Sequence, residues 1–389
     1  MNVKKAVQEI ENDLIAFRRN MHMFPELSGE EYQTQKRIEA FLDERAIVHQ
    51  RMAGTGVVAT IGSGSPVIAL RADIDALPIQ EAIESDFKSK IDGVMHACGH
   101  DIHTAINLGV ATLMKHFESE LNGTVKCIFE PAEETYGGAK IMVEEGVLEN
   151  PKVDAVLGLH IMPYLDAGKA EFRYGKLNAS SDALKITVRG KRGHGAYPDS
   201  GVDALLISAH ILTAIQSIVS RNTSPLNSVV VSFGTIEGGE RPNVIAEKIT
   251  MTGTLRALDQ ETRDKTKMLI KKIATEQATS FGGQAIVEIG DDYLPLVNDD
   301  KITRICLAVA EQTIGKENMQ MKEFPSLGTE SFSFFSECVP GMFYHLGTRK
   351  PGAPTTSLHD ERLDPDESAI ASGVELNVNM VLALMEELS

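Results

Sequence analysis

The stretch Val67-Ile68-Ala69-Leu70-Arg71-Ala72-Asp73-Ile74-Asp75 begins with four apolar residues and ends with two carboxylates. Its apolar beginning follows the turn residues Gly62-Ser63-Gly64-Ser65 and is typical of a buried β-strand. A second apolar run, Val57-Val58-Ala59-Thr60-Ile61, lies on the other side of the same turn. We therefore predict two buried strands joined by a Gly-Ser turn, with acidic residues just past the second strand.

Strands and helices alternate on both sides of this stretch. Apolar residues at helical spacing predict an amphipathic first helix over residues 3–17, and a second helix is predicted over about 30–44. Further strands are predicted at 125–129 and 155–159, with helical segments between them. This alternation predicts an α/β domain with a largely parallel central sheet.

The pattern changes from about residue 182. Alternating strand patterns at 183–188, 229–231, 249–251 and 285–287 and two intervening helices give the order β-α-β-β-α-β, which is that of a ferredoxin-like unit. We therefore predict an inserted α+β domain at 182–291. The first domain then consists of two parts, 1–181 and 292–389, the second with a strand at 342–344 and a closing helix at 366–388.

Composition limits the function classes. A chain of 389 residues exceeds what one hydrophobic core usually organises, which favours two domains. The formal net charge of −17 argues against a nucleic-acid or anionic-membrane partner, since phosphate binding needs a basic surface. No apolar run approaches the roughly 20 residues of a membrane helix, and the N-terminus lacks the apolar core of a signal peptide. The four cysteines are scattered along the chain, which fits a reducing compartment, so we expect a cytoplasmic protein. Three of them, Cys127, Cys306 and Cys338, are predicted to be ordinary small apolar residues.

Residues of the metal-ligand type cluster just past the predicted strands. Asp73 and Asp75 follow one strand, Glu133 and Glu134 follow another, and His160 follows a third. The carboxyl ends of strands in an open α/β sheet form the ligand crevice. The segment Met95-His96-Ala97-Cys98-Gly99-His100-Asp101-Ile102-His103 adds thiol and imidazole groups just before a helix. Together these residues predict a site for first-row divalent ions.

The adjacent pair Glu133 and Glu134 suggests a division of labour. Neighbouring side chains in extended backbone point in different directions, so both cannot easily bind one ion. One carboxylate would then be a ligand while the other acts as the general base that metal-assisted hydrolysis requires. The alternative is a solvated acidic turn.

Four motifs resemble the aminoacylase, hippurate-hydrolase and auxin-conjugate amidohydrolase family of metallopeptidases. They are Leu70-Arg71-Ala72-Asp73-Ile74-Asp75-Ala76-Leu77-Pro78, Met95-His96-Ala97-Cys98-Gly99-His100-Asp101, Glu130-Pro131-Ala132-Glu133-Glu134 and Gly193-His194-Gly195-Ala196-Tyr197-Pro198. Arg18-Arg19-Asn20-Met21-His22 with Pro25-Glu26-Leu27 is similar to the N-terminal signature of that family. The resemblance extends in order along the whole chain.

The resemblance implies a dinuclear site that holds two divalent ions per chain, of zinc, manganese, cobalt or nickel. It implies the ligands Cys98, His100, Glu134, His160 and His359, with Cys98 bridging the two ions. It further implies that Glu133 is the general base and acid and that Asp75 orients a ligand or the base.

In that family the inserted domain is a lid that also serves dimerisation, so the resemblance implies a homodimer or higher homo-oligomer. The matching lid residues are His194, Asn243 and Arg256. His194 would stabilise the oxyanion, within its own chain or across a dimer, while Asn243 and Arg256 would hold the substrate carboxylate. Without the resemblance, Asn243 is a turn former and Arg256 an exposed strand residue.

Two departures from the family pattern concern the substrate. Many relatives carry Glu-Asp-Phe where this chain reads Glu330-Ser331-Phe332, and Thr135-Tyr136 stands where a glycine run is frequent. Both departures leave the ligands and the base intact, so we expect them to reshape the acyl pocket rather than to abolish hydrolysis.

We conclude that the sequence predicts hydrolysis of the amide bond of N-acyl amino acids or dipeptide-like small molecules. A dipeptidase or carboxypeptidase would use the same centre. Two readings from other classes are an inactive metal-binding module, which retention of Glu133 argues against, and a thiol redox protein, which lacks a resolving cysteine near Cys98.

Overall fold

The computed structural model describes residues 1–135 and 137–389. The chain divides into two units: the first comprises Met1–Gly175, Val297–Phe324 and Ser331–Ser389, and the second comprises Lys176–Leu296 and Pro325–Glu330. Each unit has its own hydrophobic core. The main segment of the second unit, Lys176–Leu296, is therefore an insertion in the first along the sequence.

The helices of more than one turn are α1 Val3–Met23, α2 Tyr32–Asp43, α3 His100–His116, α4 Gly138–Glu144, α5 Ala204–Ser217, α6 Gln260–Ser280, α7 Asp300–Ile314, α8 Ser333–Cys338 and α9 Ser368–Glu387. The strands are β1 Val48–Met52, β2 Gly56–Gly62, β3 Val67–Asp73, β4 Thr124–Glu130, β5 Ala155–Asp166, β6 Ala170–Phe172, β7 Gly175–Asn178, β8 Asp182–Arg189, β9 Gly193–His194, β10 Val229–Gly238, β11 Val244–Ile245, β12 Lys248–Ala257, β13 Gln284–Ile289, β14 Leu296–Asn298, β15 Met319–Met321 and β16 Gly341–Arg349.

The first unit is built on an eight-stranded mixed sheet with the order β1-β2-β4-β3-β5-β16-β6-β15. Its centre is parallel: β3 pairs with β4 and β5, and β5 pairs with β16. Every residue of β3 is buried, as expected for a strand with both faces covered. The parallel strands end at the same edge, so the residues that follow β3 and β4 are brought together.

Helices α1, α3 and α9 pack against one another in the first unit, and α3 also packs on β3 and β4. Gly109 of α3 permits the close approach, because a Cβ there would lie 2.5 Å from Val374 Cγ2 and 2.7 Å from Leu14 Cδ1. Since the first residue of α3 is His100, this packing also fixes one predicted metal ligand.

The second unit has the predicted ferredoxin-like topology. Its antiparallel four-stranded sheet has the order β10-β12-β8-β13, and α5 and α6 pack on it. Arg263 of α6 donates to both oxygens of Asp182 on β8, at 2.9 and 2.6 Å, and both side chains are buried. The predicted fold class, an α/β domain with an inserted α+β domain, is confirmed.

Three sequence expectations need correction. Strand β5 runs on to Asp166, so His160 lies within the strand rather than past its end. Strand β1 was not predicted, because its residues are mostly polar and exposed at the sheet edge. Cys338 is exposed at the end of α8, whereas Cys127 and Cys306 are buried as expected.

Two segments, Ala204–Asn222 and Ser368–Glu387, are long and apolar enough to cross a membrane by length and composition alone. This corrects the expectation that no segment of the chain approaches that limit. A core helix of a soluble protein passes the same test, and 61% of the apolar window in Ser368–Glu387 is buried within the protein. The finding is therefore weak evidence for a membrane span.

Candidate metal centre

The predicted ligands of the first unit come from four places in the fold. Cys98 and His100 lie at the start of α3, where Gly99 has a positive φ of 83° that favours glycine. His160 lies in β5, Glu134 in the turn after β4, and His359 in the loop before α9.

These side chains form overlapping groups. Within each group the potential ligand atoms all lie within 4.8 Å of one another, and the groups are Cys98, His100 and His160; Cys98, Glu134 and His359; His100, Glu133 and Glu134; and Asp73, His100 and His103. The structure thus brings together all five ligands that the resemblance implies. Because the groups share Cys98 and His100, the arrangement offers ligands for more than one ion.

The hydrogen bonds of the histidines show which nitrogens are available. His100 Nδ1 lies 3.0 Å from Asp75 Oδ1, and its buried Nε2 has no hydrogen-bond partner among the described residues. His160 Nδ1 lies 2.7 Å from the carbonyl oxygen of Ile161, which leaves Nε2 facing Cys98 Sγ at 3.3 Å. Each ring is therefore anchored through one nitrogen while the other points into the cluster, as a metal ligand requires.

Glu134 completes the evidence that the cluster suits a cation. Its Oε1 atom is buried without a hydrogen bond from any described residue, although His359 Nε2 lies only 3.0 Å away and His100 Nε2 lies 3.9 Å away. Buried polar atoms without hydrogen bonds are rare in native proteins and call for a partner. A thiol, three imidazoles and a carboxylate form a donor set that fits first-row divalent ions.

Burial and neighbouring charge control protonation in the cluster. Burial raises the pKa of the Cys98 thiol well above its ordinary value, although His100 opposes the shift. Burial lowers the pKa of His160, and His103 adds to the effect. Burial also acts to lower the pKa of His100, but the Asp73 carboxylate, Cys98 and the hydrogen bond to Asp75 together outweigh it, and the net shift is strongly upward. Metal binding must therefore displace protons from Cys98 and His100.

Asp75, which was predicted to orient a ligand or the base, contacts two ligand-bearing segments. Its Oδ1 atom binds the His100 ring, and its Oδ2 atom accepts from Ser28 Oγ at 2.6 Å and from the backbone N–H of Glu134 at 3.0 Å. Burial alone raises the pKa of Asp75, but these hydrogen bonds outweigh it, so the pKa is lowered. The carboxylate is therefore ionised and suited to orient ligands.

Sequence reasoning did not assign roles to Asp73 and His103. His103 Nδ1 donates to Asp73 Oδ1 at 2.6 Å, while its Nε2 accepts from the backbone N–H of Ile161 at 2.9 Å. Both nitrogens of His103 are thus engaged, so it supports strand β5 beside His160 rather than offering a ligand atom. The position of Asp73 at the end of β3 was a signal for this role, but nothing in the sequence pairs it with His103.

A buried ionic cluster also links α1 to the start of α3. Arg18 Nε lies 2.7 Å from Asp101 Oδ2, and His22 Nδ1 lies 2.8 Å from the same oxygen. Arg18 also contacts Glu367 at 3.2 Å, next to α9. The similarity of Arg18 and His22 to the family's N-terminal signature therefore has a structural reason, because both hold the residue that follows His100.

The glutamate pair lies in a turn, not in extended backbone. Ala132, which precedes it, has a positive φ of 53°, and its N–H donates to the buried carboxyl of Glu31 at 2.8 Å. Both glutamates have an oxygen close to the potential ligand atoms of His100. The premise that the backbone separates the two side chains was therefore wrong, and the division into ligand and base stays a prediction. Tyr136 of the Thr135-Tyr136 departure lies outside the described residues.

His194, Asn243 and Arg256 lie in the second unit. His194 on β9 pairs with Val244 on β11, and Gly195 N–H donates to the carbonyl oxygen of Asn243 at 2.9 Å, so His194 and Asn243 are neighbours. His194 is exposed, and its Nδ1 accepts from the N–H of Ala196 at 3.1 Å, which places the proton of the neutral ring on Nε2. Arg256 lies apart on β12 and donates from Nη1 to the Leu327 carbonyl at 3.0 Å.

Comparison with known proteins agrees with this site. The model of peptidase family M20/M25/M40 matches residues 69–383. The chain is 38% identical to IAA-amino acid hydrolase ILR1-like 4 of Arabidopsis thaliana over 382 residues, and this alignment covers 96% of this chain and 86% of the relative. It is 37% identical to N-acetylcysteine deacetylase of Bacillus subtilis over 377 residues, and this alignment covers 96% of this chain and 97% of the relative.

The similarity includes a named carboxypeptidase and a solved structure. Thermostable carboxypeptidase 2 of Saccharolobus solfataricus is 38% identical over 380 residues, which are 95% of each chain. The crystal structure of the Bacillus subtilis YXEP protein, described as a dinuclear metal-binding peptidase from the M20 family, has a TM-score of 0.85 and 33% identity and covers 97% of this chain and 99% of that one. The chain therefore belongs to peptidase family M20/M25/M40 and is a metal-dependent hydrolase of amide or peptide bonds.

Proposed function

We propose that this protein hydrolyses the amide bond of N-acyl amino acids. Two divalent ions per chain would be held by Cys98, His100, Glu134, His160 and His359. The observation that carries the proposal is the convergence of these donors beside Glu133, where the buried atoms His100 Nε2 and Glu134 Oε1 have no hydrogen-bond partner among the residues that the structure describes. The relatives named as an IAA-amino acid hydrolase and an N-acetylcysteine deacetylase support this substrate class.

Bound at this site, the two ions would supply Lewis acidity to a water molecule and to the amide carbonyl. Glu133 accepts the proton of the attacking water and returns it to the leaving nitrogen, because a carboxylate beside the ligands is placed for both transfers. Asp75 and the His103–Asp73 pair keep the ligand segments in position. The products are a carboxylic acid and a free amino acid.

Three residues of the inserted unit would act on the substrate. His194 carries its proton on Nε2 when neutral and would stabilise the developing oxyanion by a hydrogen bond from that N–H, in its own chain or across a dimer. Arg256 presents a planar guanidinium that suits a carboxylate, and Asn243 would share that contact. A free carboxylate on the substrate is thus part of the proposal.

A dipeptidase or carboxypeptidase activity is the second candidate, and the similarity to a protein named thermostable carboxypeptidase 2 favours it. The same centre would serve both reactions, since they differ only in the acyl side of the substrate.

We also propose a cytoplasmic homodimer or higher homo-oligomer. The exposed leucines Leu205 and Leu206 at the start of α5 support an association surface on the inserted unit.

A substrate panel tests the proposed function. The metal-free protein is loaded separately with zinc, manganese, cobalt or nickel and assayed on N-acetyl amino acids, N-benzoyl amino acids and dipeptides. We expect at least one metal to support turnover, with kcat/KM highest for an N-acyl amino acid. Higher kcat/KM for dipeptides would favour the second candidate, and no turnover of any amide with any metal would contradict both.

A further inference from the structure

Ser331 of the first unit is fully buried just before α8. Its backbone N–H donates to Glu133 Oε1 at 3.3 Å. A backbone donor can hold a carboxylate in place without taking part in proton transfer. We propose that Ser331 is a positioning residue for Glu133, an inference that rests on the proposed role of Glu133 as the base.

The side chain of Ser331 fixes its backbone. Its hydroxyl accepts from Arg71 Nη2 at 2.7 Å and donates to Glu130 Oε1 at 2.7 Å. Both partners are fully buried on the central strands β3 and β4. The hydroxyl therefore ties the turn that carries the Ser331 N–H to the rigid part of the sheet.

Arg71 and Glu130, the partners of the Ser331 hydroxyl, are themselves held on the sheet. Arg71 also binds Asp73 Oδ2 at 2.8 Å and Glu130 Oε2 at 2.5 Å. The Ser331 hydroxyl bridges Arg71 and Glu130, so the loss of that hydroxyl would release the turn from both strands.

Ser333 provides a matched control. It is as fully buried as Ser331 and two residues away, but its Oγ has no hydrogen-bond partner within the described part of the chain. The Ser331→Ala and Ser333→Ala variants therefore remove the same atom at equal burial, and only the first loses the contacts to Arg71 and Glu130. Since small displacements of a reacting group can cost up to about 100-fold in rate, we expect Ser331→Ala to lower kcat by about 10–100-fold.

The test measures kcat, KM, metal content and the midpoint of thermal unfolding for both variants, on the best substrate of the panel. Positioning predicts a loss in kcat for Ser331→Ala with KM and metal content unchanged, and a displaced Glu133 carboxylate in its crystal structure. A kcat for Ser331→Ala within about twofold of Ser333→Ala would overturn the proposal.

A second pair of variants keeps the proposal testable if Ser331→Ala does not fold. Ser331→Thr keeps the hydroxyl, whereas Ser331→Val has the same shape without it, so kcat of Ser331→Val should be about 10–100-fold below that of Ser331→Thr. A Ser331→Val variant as active as Ser331→Thr would also overturn the proposal. Glu133→Gln is assayed in parallel. Wild-type kcat in Glu133→Gln would refute the role of Glu133 as the base. A strongly lowered kcat in Glu133→Gln together with wild-type kcat in Ser331→Ala would refute only the positioning role of Ser331.

Discussion

Asp75 Oδ1 lies 3.0 Å from Nδ1 of His100, and both side chains are fully buried. The other oxygen of Asp75 accepts from the backbone N–H of Glu134 at 3.0 Å. One carboxylate therefore fixes two of the proposed ligands, one through its ring and the other through its backbone. Carboxylates that orient ligand histidines in this way also make them stronger donors.

Asp75→Asn should weaken metal binding by about 10–100-fold, the usual cost of losing such a partner. The asparagine keeps the size of the side chain but loses the charge that orients His100. The affinity is measured by competition with a chromophoric chelator, with the exposed Asp92→Asn as control. Equal metal affinity in the two variants would show that Asp75 does not support the ligands.

Two of the three buried cysteines, Cys98 and Cys127, provide a matched pair for the thiolate ligand. Cys98 belongs to two of the ligand groups, whereas Cys127 lies in β4 outside all of them. Cys98→Ser should reduce the metal content well below that of Cys127→Ser, since a serine hydroxyl is a much poorer ligand than a thiolate. Elemental analysis after gel filtration measures both, and similar metal contents would refute Cys98 as a ligand.

Much of this site could be predicted from the sequence, because the carboxyl ends of parallel strands form the ligand crevice of an open α/β sheet. The positions of Asp75, Glu134 and Cys98 relative to apolar runs indicated one edge of a parallel sheet, which the structure confirms. The hydrogen bonds of Ser331 and His103 could not be predicted, because they join residues far apart in sequence. The turn at Glu133 was missed since nothing in the sequence marks Ala132 for a positive φ.

Arg256→Lys tests whether the substrate carboxylate is recognised by a planar guanidinium. Arg256 already donates from Nη1 to the Leu327 carbonyl. A lysine has a single ammonium group in place of the planar fork, so it could not keep that contact and also form a paired contact to a carboxylate. Activity on an N-acyl amino acid should fall strongly, while the weak activity on the matching amide, which lacks the carboxylate, should hardly change. Arg189→Lys on the exposed face of β8 is the control. Equal losses on both substrates would make Arg256 a structural residue.

Glu171 gives a prediction for pH. Burial alone raises its pKa, but hydrogen bonds from His345 and Tyr164 outweigh burial and lower the pKa from 4.5 to about 2. A carboxyl group whose pKa is lower in the folded than in the unfolded state stabilises the fold at pH values above its unfolded pKa. This stabilisation is lost as the pH falls from about 4.5 toward 2. The difference in thermal midpoint between the wild type and Glu171→Gln should therefore be constant above about pH 5.5 and shrink below it. A difference that grows on acidification would contradict this assignment, and Glu311→Gln is the exposed control.

Turnover by Glu133→Gln at full metal occupancy tests the central claim most directly. The variant keeps the shape of the side chain and the acceptor for the Ser331 N–H but cannot accept a proton from water. With two divalent ions per chain and the wild-type thermal midpoint, its kcat on an N-acyl amino acid should fall by about 10²–10⁴-fold, the usual contribution of a general base. The exposed Glu144→Gln should keep normal turnover. A fully metal-loaded Glu133→Gln with the kcat of the wild type would contradict the account.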